Sequence, residues 1–253
     1  MNKKILFTLV FVLGLGYSSI KAQEIYNTLS GEMIFSWSDA NYNTPDNGGS
    51  LMYGNVAGET SDALRFTIWF HLYSYWHFDF SEKFGLYTGI GNRNIGLITY
   101  ESSSVKGESL NNFYNVKWKR RSYALGAPLA FKFGNLPKDI YFYAGAQIEW
   151  LYHYKEKEFL TTGKRKSTEW FSNKTNTFLP SAFVGISLPS GLNIKFTYAL
   201  DDFMNKTYTN PEGLQPYKFM DSKIMYISIS RPMRWKKVTY DKVEKKENKI
   251  AYL

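Results

Sequence analysis

Residues 122–150 read SYALGAPLAFKFGNLPKDIYFYAGAQIEW, and two runs of alternating side chains in this stretch decide the fold. The first run sets Tyr123, Leu125, Ala127, Leu129, Phe131 and Phe133 against Ser122, Ala124, Gly126, Ala130 and Lys132. The second run sets Ile140, Phe142, Ala144, Ala146, Ile148 and Trp150 against Tyr141, Tyr143, Gly145, Gln147 and Glu149. A period of two is typical of a β-strand. Because Pro137 and Asp139 between the runs are turn residues, the stretch predicts a hairpin.

The same alternation recurs along the chain and predicts eight strands. They cover residues 32–38, 64–80, 84–100, 122–133, 140–150, 178–188, 192–200 and 225–230. Pro232 ends the pattern, since proline removes a backbone donor from a sheet. Pro128 lies inside a strand, so we expect a bulge or local bend over residues 126–128.

The connections between these strands alternate strictly in length. Three are short, at 81–83, 134–139 and 189–191, and four are long and polar, at 40–62, 101–115, 159–176 and 205–218. This asymmetry is typical of outer-membrane barrels, and the 18% content of aromatic residues suits their girdles. A soluble barrel of the lipocalin kind is the alternative. We therefore predict an all-β, antiparallel up-and-down transmembrane β-barrel of about eight strands.

The N-terminus has the three regions of a secretory signal peptide. Lys3 and Lys4 precede an apolar run at 5–16, and Ala22 is a small residue suited to cleavage. The apolar run is shorter than the roughly 20 residues of a spanning helix. The predicted organisation is a signal peptide at 1–22, an outer-membrane barrel at 23–233 and a basic periplasmic tail at 234–253, and the predicted location is the cell outer membrane.

The formal charge of +9 is unevenly distributed along the chain. The signal peptide carries three of these charges and residues 234–253 a net four, which leaves two for residues 23–233. A nearly neutral body argues against nucleic acid as a partner. The absence of cysteine excludes disulfides and thiolate metal sites.

Eight strands enclose a lumen just wide enough for side chains. Candidate functional residues of so small a barrel are therefore sought among the side chains that point inward. The predicted inward polar set is Glu32, His71, His77, Asp79, Arg93, Lys132, Gln147, Glu149, Lys195 and Asp201. Buried charges need partners, so this set favours a salt-bridged interior. Its members His71 and His77 are six residues apart, about 20 Å on a regular strand, too far to share a metal ion. The sequence predicts no catalytic, cofactor-binding or metal-binding residues, and no cofactor.

Three segments resemble the PorT-like outer-membrane β-barrel proteins of Bacteroidota: 84–91 (FGLYTGIG), 123–134 (YALGAPLAFKFG) and 143–146 (YAGA). The Ala22-Gln23 junction is similar to their export sites. The resemblance implies outer-membrane lipid and the barrel assembly machinery as partners, with an unidentified extracellular ligand. It carries no catalytic residues. We therefore expect a non-enzymatic protein acting through extracellular loops or in envelope integrity, and the alternative is a small barrel enzyme that modifies outer-membrane lipid.

Overall fold

The alternating segments pair into one antiparallel sheet in the computed structural model, which describes residues 24–42, 61–68, 71–104, 113–160 and 163–239. The predicted signal peptide, most of the first long loop and the end of the basic tail lie outside the described residues. None of the described residues form a helix long and apolar enough to cross a membrane.

The described part of the chain forms twelve strands and two single-turn 3-10 helices. The strands are β1 Glu24–Tyr42, β2 Ser61–Asp62, β3 Arg65–Thr67, β4 Leu72–Asp79, β5 Phe84–Ser104, β6 Phe113–Asn135, β7 Ile140–Leu160, β8 Gly163–Trp170, β9 Phe178–Ser187, β10 Asn193–Ala199, β11 Met220–Ser230 and β12 Met233–Thr239. The 3-10 turns, Leu136–Lys138 and Pro189–Gly191, form two of the predicted short connections.

Eight strands close into a ring in the order β1, β4, β5, β6, β7, β9, β10, β11 and back to β1. Closure is made by the first and last of these strands, where Glu32 pairs with Ser230 and Tyr42 with Met220. A closed ring leaves no unpaired edge, which is a requirement for β-structure in a membrane. The predicted up-and-down barrel of eight strands is confirmed.

Side chains alternate around the ring as the sequence pattern predicts. On β6, Leu129 is 51% exposed while its neighbour Ala130 is fully buried. Exposed apolar residues cover the outside, and they include Met33, Trp76, Ile90, Phe142, Ile148, Val184 and Phe196. Phe133 and Tyr123, at the two ends of this band on β6, are ten residues apart. With a rise of about 3.3 Å per residue and a tilt of about 40°, the band is about 25 Å high, which matches a membrane barrel.

The last barrel strand does not end at Pro232 as predicted. The chain resumes as β12, and Met233 to Thr239 pair with Leu29 to Glu24 of β1. Pro232 therefore interrupts one line of strand, β11 followed by β12, that pairs with β1 along its length, and the predicted boundary at 233 falls inside this line. A polar strand was missed because its pairing depends on backbone groups rather than on apolar alternation.

Two of the predicted long loops contain strand on both sides of the residues that the structure does not describe. β5 continues to Ser104, and β6 already begins at Phe113. β7 and β8 form a second hairpin, whose second strand ends at Trp170. These extensions pair side by side, and the upper part of β5 also pairs with β2. The four strand segments form a projecting sheet, which consists of residues 95–104, 113–123, 153–160 and 163–170. It rises beyond the apolar band at the long-loop end.

The wall around Pro128 keeps its register. The β5–β6 ladder omits the two pairs opposite Ala127 and Pro128, and the same register continues on both sides. Thr88 Oγ1 donates to the Pro128 carbonyl oxygen at 2.8 Å across this gap. The predicted local irregularity is a gap in the ladder and not a bulge. The register shift between β6 and β7 lies elsewhere, at Tyr123 and Ala124, and its extra residue is Tyr152 of β7.

Candidate functional site

The centre of the lumen is a network of four buried charges. Glu32 on β1 accepts from Arg93 of β5 at 2.9 Å and from Lys195 of β10 at 3.0 Å. Arg93 also pairs with Glu149 of β7 at 2.9 Å. All four side chains are almost completely buried, and two cations face two carboxylates. The network is therefore neutral and joins four strands across the barrel.

Aromatic and amide side chains bind further polar atoms of this network, and Glu149 Oε2 is the one carboxylate oxygen of the network without a hydrogen-bond partner among the described residues. Tyr75 donates to Glu32 Oε1 at 2.8 Å, and Arg93 Nη1 donates to the Tyr226 hydroxyl at 2.8 Å. The Arg93 guanidinium also lies 4.3 Å from the ring centroid of Tyr73. The predicted salt-bridged interior is therefore confirmed, and its ion pairs join residues that are distant in the sequence.

A second polar cluster lies nearer the short-turn end. Lys132 of β6 forms an ion pair with Asp79, and its ammonium also contacts the Tyr26 hydroxyl at 3.2 Å and His77 Nδ1 at 3.3 Å. The His77 ring stacks on Tyr26 with the centroids 4.5 Å apart. The other ring nitrogen, Nε2, lies 3.0 Å from Thr28 Oγ1.

The distance between Thr28 and His77 is that of a nucleophile and its base, but the hydrogen bond runs in the opposite direction. A lysine ammonium has only donors, so Nδ1 of His77 must accept from Lys132. The neutral ring then carries its proton on Nε2 and donates it to the Thr28 hydroxyl. A base must accept that hydroxyl proton, so His77 holds Thr28 without activating it.

A small cavity separates the two clusters. It has a volume of about 30 Å³ and is lined by Ser30, Tyr87, Tyr143, Asn193 and members of both clusters. This is the space of one or two water molecules. The cavity is too small for an acyl chain or for the passage of hydrated ions.

The long-loop end of the lumen is closed by a lid, which consists of residues 171–177 and 200–219. Phe203 and Met204 point inward, are fully buried and pack in the apolar cluster that contains Ile95 and Leu151. The two lid segments pair through a bridge between Thr175 and Met204. The apolar cluster therefore continues from the barrel into the inner face of the projecting sheet.

Nine of the ten residues that were predicted to point into the lumen are buried. The exception is Asp201, which is exposed. The alternation fails there because β10 ends at Ala199 and the chain turns into the lid, which buries Asp202 instead. His71 accepts from the backbone N–H of Asn94 at 3.3 Å and contacts Thr67 Oγ1 at 2.7 Å. In the described part of the chain, no three His, Cys, Asp or Glu residues form a metal-binding group.

Inward glycines make room for the tyrosines of the lumen. A Cβ on Gly126 would lie 2.1 Å from the Tyr73 hydroxyl, and one on Gly185 would lie 2.3 Å from the Tyr143 ring. Alternation along a single strand does not reveal this role of either glycine. Only the packed barrel shows that a ring lies across each of them, from β4 over Gly126 and from the adjacent β7 over Gly185.

The outer face of the projecting sheet carries a surface that sequence analysis missed. Strand register aligns its side chains in rows across β6, β7 and β8. We call it the basic face, and its members are Lys117, Lys119, Arg121, Lys155, Lys157, Lys164 and Lys166. The net charge of residues 23–233 did not reveal this face, because acidic residues on the inner face of the same sheet offset its positive charge in the sum.

Comparisons with known proteins found structural likeness but no family. No family model matches the sequence, and no curated protein matches it. Similar solved structures include the attachment invasion locus protein Ail of Yersinia pestis in complex with the heparin analogue sucrose octasulfate, at 11% identity and a TM-score of 0.38, covering 84% of this chain and 99% of that one. They also include the outer membrane protein OprG from Pseudomonas aeruginosa, at 11% identity and a TM-score of 0.30, covering 85% of this chain and 94% of that one.

Proposed function

We propose that this protein is a non-enzymatic outer-membrane barrel that acts at the cell surface through its projecting sheet and lid, or in the integrity of the envelope. The observation that carries the proposal is the lumen, which the described side chains largely fill. Paired charges fill its centre, a lid covers one end, and the cavity between the clusters holds about 30 Å³. A barrel filled in this way is suited to presenting a surface rather than to passing solutes.

The proposed location places the short turns and both ends of the chain in the periplasm. The apolar band supports membrane insertion, and the alternation of short and long connections supports this orientation. The resemblance to PorT-like barrels of Bacteroidota belongs to the same proposal, as do outer-membrane lipid and the barrel assembly machinery as partners. An epitope placed after Leu253 tests it. The epitope should be hidden from antibody on intact cells and become accessible when the outer membrane is permeabilised, and labelling of intact cells would reverse the topology.

Lipid hydrolysis is the alternative that an experiment must exclude. The purified protein is incubated with outer-membrane lipid, and released acyl chains are measured beside a His77→Phe variant. We expect no release above the rate of lipid alone from either protein. Release by the parent that disappears in the variant would establish an enzyme and refute the proposal.

Membrane insertion has an independent test. A barrel with a closed hydrogen-bond ladder resists unfolding in cold detergent and migrates differently on a gel after boiling. We expect this shift for the parent protein. Solubility without detergent and an unchanged mobility would instead favour a soluble barrel.

A further inference from the structure

The basic face has a regular arrangement of like charges. Lys119, Lys157 and Lys166 lie directly opposite one another on three adjacent strands. Arg121 pairs with Lys155 in the row below, and Lys117 and Lys164 flank Phe159 in the row above. Neighbouring strands are about 4.8 Å apart, so each row brings its cations close together.

No described carboxylate pairs with the basic face. The acids of this sheet are on its inner face, where Glu156 pairs with Arg120 and Glu158 with Arg165, each at 3.5 Å. The cations of the basic face contact aromatic rings instead. Lys119 and Lys164 each lie 5.4 Å from the centroid of Phe159.

Such an arrangement opposes folding unless an anion neutralises it, because like charges directly opposite on a sheet are destabilising. Desolvation, followed by repulsion from Lys117, lowers the pKa of Lys119. Desolvation, followed by repulsion from Arg121 and Lys166, lowers the pKa of Lys157. The face therefore presents a fixed, multivalent site for negative charge.

The position of the face relative to the apolar band points to its occupant. An aromatic belt lies directly below it on the same outer surface, and its members are Tyr123, Trp150, Tyr152, His153, Trp170 and Phe171. Aromatic belts of this kind mark the level of the lipid headgroups. Arg121 is two residues above Tyr123, and Lys119 is four, which places their rows about 5 and 10 Å above the belt.

We propose that the basic face binds the phosphate groups of an anionic lipid in the leaflet that contains the aromatic belt. The height of the two lower rows fits a lipid headgroup with more than one phosphate. The side chains of these rows point in the same direction as those of the lipid-facing wall. The lipid can therefore bind from the membrane without entering the barrel. This inference rests on the proposed membrane orientation.

The test uses the full-length protein in phosphatidylcholine nanodiscs that contain lipid A with two phosphates. Lipid retained after extraction into neutral detergent is counted by native mass spectrometry. The variant is Lys119→Gln/Lys157→Gln/Lys166→Gln. A matched control, Lys83→Gln/Lys138→Gln/Lys218→Gln, removes the same charge from exposed positions outside the face.

We expect the variant to bind lipid A about a hundredfold more weakly, because each basic side chain beside an anionic surface contributes about a factor of five. The control should retain the parent's affinity, and Lys119→Arg/Lys157→Arg/Lys166→Arg should restore it. Equal retention by the variant and the control would overturn the proposal. Unchanged lipid binding together with lost binding of a soluble sulfated oligosaccharide would also overturn it and assign the face to an extracellular polyanion.

Insertion is scored separately for every variant by the gel shift on boiling. A parent that shows no shift refutes the proposed membrane barrel. A parent and a variant that both shift but retain lipid A equally refute only the lipid site. Should the triple variant fail to fold, Lys157→Gln alone should lower the affinity about fivefold, and an unchanged affinity would overturn the proposal.

Discussion

The lumen and the projecting sheet handle charge in opposite ways. In the lumen, Glu32 lies between Arg93 and Lys195, and every ionised group of the central network has an opposite charge within about 3 Å. On the outer face of the projecting sheet, Lys119, Lys157 and Lys166 lie side by side with no described acid among them. The same chain thus pairs the charges of its central network and gathers like charges on the projecting sheet.

The difference follows from the surroundings of each region. A buried charge without a partner loses its hydration and receives nothing in exchange, so the lumen requires pairing. The outer face of the sheet is not enclosed by the barrel, and repulsion between cations there is weakened by solvent and salt. Pairing in the lumen therefore serves stability, whereas the clustering on the sheet is what the proposed lipid site requires.

The largest expected effect is the loss of the central carboxylate. Glu32→Ala leaves Arg93 and Lys195 buried without their shared partner, so the free energy of unfolding should fall by about 3–5 kcal/mol. Urea unfolding in phosphatidylcholine vesicles, followed by tryptophan fluorescence, measures it. Glu169→Gln is the control in the sheet, since it breaks a partly exposed pair with Lys174 and should cost at most about 1 kcal/mol. Equal losses would remove the distinction between the two regions.

The next effect separates the outside of the barrel from its lumen. Leu129→Arg places a charge on the lipid-facing wall and should destabilise the barrel by about 2–4 kcal/mol. Ala130→Arg should act by crowding the lumen, because Ala130 is fully buried. Repeating the unfolding measurement in a thinner bilayer should reduce the first loss and leave the second unchanged. If Leu129→Arg folds into lipid as stably as the parent, the assignment of the two faces is wrong.

A smaller effect is expected from shortening the last strand. A chain that stops after Trp235 lacks residues 236–239, whose backbone pairs with residues 24–27 of β1. It should still insert as a heat-modifiable barrel, with a free energy of unfolding lower by about 1–3 kcal/mol for the lost hydrogen bonds. A chain that stops after Thr239 keeps this pairing and should match the parent. Failure of the shorter chain to insert would show that β12 is needed for closure.

The smallest effect has the opposite sign. Lys157→Gln removes one of three aligned cations, so in neutral lipid at low salt it should stabilise the protein by about 0.2–1 kcal/mol. Lys218→Gln, at an exposed position outside the basic face, should change little. The same unfolding assay reports both values. A loss of stability in Lys157→Gln would mean that the lysine has a favourable partner and that the basic face does not repel itself.

The strand segments and the directions of their side chains could be predicted because both depend on local geometry. Successive side chains on a strand point to opposite faces, so Lys132 and Glu149 could be placed inside from their neighbours alone. Prediction failed where this local rule stopped. The extensions of β5 to β8 carry charged side chains on both faces, so apolar alternation does not reveal them, and Asp201 lies past the end of its strand.

The sequence by itself determined the eight alternating segments, the alternation of short and long connections and the requirement that inward charges be paired. Only the tertiary structure decided which charges meet, since Glu32 and Lys195 are 163 positions apart and come together when the ring closes. It likewise decided that lysines on three strands form one surface, because register depends on backbone pairing between distant segments. Net charge sums over the whole chain, whereas a binding surface depends on which residues share a face.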